Sequence, residues 1–137
     1  MSNPAIEPGV RPVCDVLNAM PDVRTVYSCE GHPRAFVPSK PFVMFKAPAE
    51  LAFGIHCMLA YGHGDGSLNF CWRLLAQFDD DASMTYTLTT SDVRVSEKRW
   101  RPFQEWTTKA MNRDLLQLAS LLRICLSGET DNFKGAY

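Results

Sequence analysis

The chain carries almost no net charge: 14 lysines and arginines against 15 aspartates and glutamates leave −1 at pH 7. No bulk field therefore draws it to nucleic acid or to an acidic membrane, and any such contact would rest on a local patch. It has no apolar run near the ~20 residues that span a bilayer, and no basic N-terminal region leading into an apolar stretch. These absences lead us to expect a cytoplasmic protein with no membrane partner. Paired cysteines are lacking too. The five present (Cys14, Cys29, Cys57, Cys71, Cys125) are scattered, odd in number and free of C-x-x-C, which excludes a disulfide framework and a zinc-ribbon pattern. Most then read as small buried hydrophobes. No internal repeat, no low-complexity block and no phosphate-binding G-x-x-x-x-G-K-S/T loop is present.

What is there is ordinary globular material: 137 residues, 46% hydrophobic and 21% charged, enough for one domain (1–137) with a real core. Pro4, Pro8 and Gly9 mark 1–9 as a flexible arm, and 128–137 reads as a polar tail. Val13, Val16, Leu17 and Met20 follow a helical face, with Pro12 in the first turn and Pro21 ending it. Thr25 to Ser28 reads as a strand. The unbroken apolar run Phe42-Val43-Met44-Phe45 reads as a strand buried on both faces. Pro48 opens a second helix with the stripe Leu51, Ile55, Met58 and Leu59, and Gly62 is its expected stop.

Phe70, Trp72, Leu74, Ala76 and Phe78 alternate with polar positions as a strand with one face in the core. The acidic turn Asp79-Asp80-Asp81 leads into a return strand through Met84, Tyr86 and Leu88, and Val93 and Val95 would allow a short extension. The last helix is placed after Pro102; Met111, Leu115, Leu118, Leu122 and Cys125 form its stripe, widened by Leu121 and Ile124, and Gly128 ends it. The order α-β-β-α-β-β-α predicts an α+β two-layer sandwich: a four-stranded mixed or antiparallel sheet with about three helices. Unpaired edges of such a small sheet would allow a homodimer.

The strand from Thr25 runs into Cys29-Glu30-Gly31-His32-Pro33, a thiol, a carboxylate and an imidazole gathered on a sharply turned backbone. Cys29 beside turn amides is a candidate nucleophile or redox group, with Glu30 or His32 as general acid or base; the plainer alternative is a half-buried cysteine beside a permissive glycine. Cys29 and His32 also have the C-x-x-H spacing of half a zinc site, with His63 as the better third ligand. His56 and Cys57 are adjacent on a helix and diverge, so His56 reads as a surface residue. Ser28 and Gly31, with His63 and Asp65 in the loop Gly62 to Ser67, are candidate ligand-binding residues. The acidic turn reads as a solvated hairpin tip rather than a cation site.

Arg94, Lys98, Arg99 and Arg101 interleave with Trp100 and Phe103, so Arg99, Trp100 and Arg101 form a candidate RNA contact. The competing reading has these aromatics capping the core while the arginines stay solvated. The expected function is binding of a small molecule or nucleotide at the turn Ser28 to His32; the alternative is a noncatalytic RNA- or protein-binding module using Arg94 to Trp106.

The run Thr25-Val26-Tyr27-Ser28-Cys29-Glu30-Gly31-His32 resembles the T-x-S-S-C-S-G-R signature of the wybutosine-synthesising tRNA methyltransferase family. A helix with Asn18 precedes it and the apolar strand Phe42 to Phe45 follows. The resemblance spans Val13 to Phe45 and implies a site of RNA-modification type at Ser28, Cys29 and Gly31, with S-adenosylmethionine as cofactor; zinc is the cofactor that the C-x-x-H spacing suggests. Tyr27, Glu30 and His32 depart from the signature, and His32 in place of arginine removes a phosphate-binding fork.

Overall fold

The structure is a computed structural model that describes residues 6–32, 40–64, 68–90 and 108–127, with the backbone alone described at 62–64 and 108. Its elements are α1 (Arg11–Asn18), β1 (Arg24–Cys29), β2 (Phe42–Lys46), α2 (Ala49–Gly64), β3 (Trp72–Phe78), β4 (Met84–Thr90) and α3 (Thr108–Leu126). The expected order and α+β architecture are present. The sheet runs β1-β2-β4-β3 and every pairing is antiparallel. The placements of Val93, Val95, Pro102 and Gly128 lie outside the described residues.

The helices form the second layer, with α3 packed against both α1 and α2. Val43, Phe45, Trp72, Tyr86 and Leu88 from the sheet meet Val13 and Leu17 of α1, Ile55 and Met58 of α2, and Met111, Leu115, Leu118 and Leu122 of α3. The Phe45 and Tyr86 rings, neighbours in register, lie 5.8 Å apart. The helical stripes are thus the buried ones, as periodicity requires. Ile124 is the exception: it is exposed and does not widen the α3 stripe. Gly62 does not stop α2 either, because a single glycine weakens a helix by only about 1 kcal/mol and the helix continues to Gly64.

Two strands differ from expectation. In β2, Val43 and Phe45 are buried while Phe42 and Met44 are only half-buried, because the helices cover one face of the sheet. In β3, Trp72 is buried and Leu74 partly so, but Ala76 and Phe78 are exposed, Phe78 at 76%. On this strand the helical layer reaches only as far as Leu74. The β3–β4 hairpin beyond it is held by polar groups of its own turn and by Lys46 of β2. Asp79 accepts from Lys46 Nζ, from Thr85 Oγ1 (2.8 Å) and from Ser83 Oγ (3.1 Å). Hydrogen bonds from the Ser83 hydroxyl and amide hold the Asp81 carboxyl below its ordinary range. Asp79 and Asp81 thus hold the hairpin turn together, while Asp80 is exposed.

One polar clamp ties the layers together. Asp114, buried on α3, accepts from the amides of Asn69 (2.8 Å) and Phe70 (3.1 Å) and from the Trp72 indole Nε1 (2.7 Å). It fixes the entry into β3 against the helix.

Candidate metal centre

Strand β1 carries a bulge between Thr25 and Tyr27. Its effect is one of parity. Thr25 and Ser28 pair with Phe45 and Val43, the buried side of β2, whereas Cys29 pairs with Phe42 on the opposite side. A regular strand would place Thr25 and Cys29 on one face; the extra residue turns the Cys29 thiol out of the helical layer. Ser28 goes the other way, toward the Cys14 thiol, to which it is hydrogen-bonded. Burial pushes the Cys14 thiol above its ordinary value, and burial does the same to Cys125. These two buried thiols are not exposed nucleophiles.

After Cys29 the chain bends at Gly31, whose φ of 88° lies in the left-handed region that glycine enters without cost. The bend lets the Gly31 amide donate to Cys29 Sγ at 3.4 Å and sets His32 on the same side as the thiol. The expected Cys29–His32 pair is thus brought together.

The residue that joins them is Glu7, in the segment 1–9 whose prolines and glycine suggest a flexible arm. Residues Ile6 to Gly9 are docked instead: Gly9 and Val10 are buried, and the Glu7 carbonyl accepts from the amides of Val10 and Arg11 at the start of α1. The Glu7 side chain accepts from the Glu30 amide (3.0 Å) through Oε1 and lies 3.0 Å from His32 Nε2 through Oε2. Glu30 answers by accepting from the Gly9 amide at 2.8 Å. The two glutamates form a reciprocal clasp between segments more than 20 residues apart. Glu30, expected to be catalytic, is occupied in holding that clasp.

One ligand atom each from Glu7, Cys29 and His32 lies within 4.8 Å of the other two. A tetrahedral zinc ion with Zn–S near 2.3 Å and Zn–N near 2.0 Å places such donors about 3.5 Å apart. A thiolate, an imidazole and a carboxylate suit that ion. The His32 side chain is 45% exposed and that of Glu7 34%, so an ion and a water molecule can enter.

Of the other candidates, His56 is exposed beside Phe53, with rings 6.2 Å apart. His63 has only its backbone described, in the last turn of α2, and Asp65 lies outside the described residues, as do Arg99, Trp100, Arg101 and the whole patch from Arg94 to Trp106. Glu7 escaped sequence reading because no spacing links it to a turn 22 residues away. No family model, no curated protein and no solved structure matches the chain. The site therefore has to be read from its own chemistry.

Proposed function

We propose that this α+β domain binds a divalent ion of the zinc class through Glu7, Cys29 and His32, leaving one coordination position for a water or a small-molecule ligand. The observation that carries this reading is the convergence of the three donor types within 4.8 Å from two separate segments. Three protein ligands with an open position are the pattern of catalytic rather than structural zinc. When bound, zinc would supply a polarised water or a polarised ligand carbonyl. The chain's own residues do the rest. Glu7 and His32 hold each other at 3.0 Å, so the ion replaces a contact already formed. The Gly31 amide orients the thiol. Glu30 and Gly9 fix the segment that carries Glu7.

The test is zinc titration of the metal-free full chain, followed by calorimetry and by alkylation of Cys29. One equivalent should bind and protect Cys29, and the Cys29→Ala variant should bind at least about 100-fold more weakly. At an excess of about 100 times the dissociation constant, the ion should stabilise the fold by about 2.7 kcal/mol, read as a higher melting temperature. Equal zinc affinity in Cys29→Ala and the parent chain would sink the reading.

A further inference from the structure

Two thiols that take no part in the metal centre meet in the helical layer. Cys57 lies in α2 and Cys125 in the last turn of α3, and these helices pack on one another. The Cys125 thiol donates to the Gly54 carbonyl at 3.8 Å; with no side chain at Gly54, the α3 sulfur reaches the α2 backbone directly. Gly54 and Cys57 stand three residues apart, hence on one face of α2 and about 5–6 Å from each other. In a helix the later side chain leans back over the earlier turn, which brings the Cys57 thiol toward the carbonyl that Cys125 touches. Their charges interact as well: burial raises the Cys125 thiol above its ordinary value, and a thiolate at Cys57 raises it further. The two are unequal in access. Cys125 is buried, whereas Cys57 is half-buried, and a Cβ added at Gly54 would meet nothing within 4 Å, so the turn beside Cys57 is open.

We propose that Cys57 and Cys125 form a reversible disulfide that ties the end of α3 to α2, with glutathione disulfide, a low-molecular-weight disulfide, as the oxidant. The Cys57 thiolate attacks one sulfur of the oxidant. That S–S bond breaks, and one glutathione leaves as a thiolate and takes up a proton. Cys125 then gives its proton to solvent and attacks Cys57 Sγ, forming the new S–S bond and expelling the second glutathione. Two thiols are oxidised and one glutathione disulfide is reduced to two glutathiones. Access sets this order, because the buried Cys125 cannot meet the oxidant itself. In the mixed disulfide Cys57 carries no charge, so one of the two causes that hold the Cys125 proton is gone when Cys125 has to attack. Once formed, the bond closes the loop between residues 57 and 125 and constrains the unfolded chain.

The test is incubation of the metal-free full chain with glutathione disulfide at about pH 8, where thiolates form, followed by alkylation, non-reducing tryptic digestion and fragmentation mass spectrometry. Trypsin releases Cys125 in 124–134 and Cys57 in 47–73, which also holds Cys71. The expected product joins these two peptides through Cys57 and Cys125, raises the melting temperature by several degrees, and is undone by dithiothreitol. Cys125→Ala should halt the reaction with glutathione on Cys57, and Cys57→Ala should leave Cys125 unmodified. A parent chain that keeps glutathione on Cys57 without the cross-link, joins Cys57 to Cys71 instead, or leaves Cys57 unmodified overturns the proposal. None of these outcomes bears on Glu7, Cys29 and His32, so the metal reading stands or falls separately.

Discussion

Replacing Asp114 by alanine is expected to lower the stability of the fold by about 3–4 kcal/mol, the largest loss from any single polar side chain described. The carboxylate is only 5% exposed and serves two amides and the Trp72 indole. Its removal strands the buried indole N–H and loosens the amides that start β3, and each charge-assisted bond of this kind contributes about 1.5–3 kcal/mol. Asp114→Asn keeps one carbonyl acceptor and should lose roughly half as much. Urea denaturation followed by tryptophan fluorescence reads both, since Trp72 reports on the site itself. A loss under about 1 kcal/mol for the alanine variant would show that the clamp does not hold the layers together.

The second large effect is expected at Gly9. A Cβ there would stand 2.6 Å from Asn112 Oδ1 and 2.8 Å from Glu30 Cβ, too close for either to stay in place. Gly9→Ala should therefore cost about 1–3 kcal/mol as overpacking. It should also weaken zinc binding by about tenfold, because Glu30 is displaced from the clasp that positions Glu7 and outer contacts of a metal site typically carry 10- to 100-fold in affinity. A thermal melt and a zinc titration of the same preparation check both halves. Destabilisation with unchanged zinc affinity would separate the clasp from the metal centre.

The elements were legible where periodicity was strong. Met111, Leu115, Leu118 and Leu122 announced α3, and the alternation around Met84, Tyr86 and Leu88 announced β4, because a single buried face writes itself into spacing. The site was half legible. Cys29 and His32 are near in sequence, and the positive φ at Gly31 follows from a turn that needs glycine. Three things were hidden. The bulge in β1 decides which way Cys29 points, and no residue type at Val26 requires it. Glu7 reaches the turn through tertiary docking of a segment whose prolines and glycine read as loose. The exposure of Ala76 and Phe78 depends on how far the helices extend over the sheet, which alternation within β3 cannot express. Asp114 did leave a trace: a carboxylate three residues after Met111 and four before Leu118 falls on the apolar stripe, where a charge needs partners.

The uncovered end of β3 also bears on how the protein behaves when concentrated. Among the described strands this one is a sheet edge, and Leu75 and Phe78 are 52% and 76% exposed on it. An open edge with apolar side chains is a template for pairing with another molecule's strand. Arg73, exposed in the same strand, supplies the only charge between Trp72 and Phe78, and a charge in that place is expected to oppose such stacking. Arg73→Val should leave the melting temperature nearly unchanged yet raise light scattering on storage, with Phe78→Lys in the same chain restoring clarity.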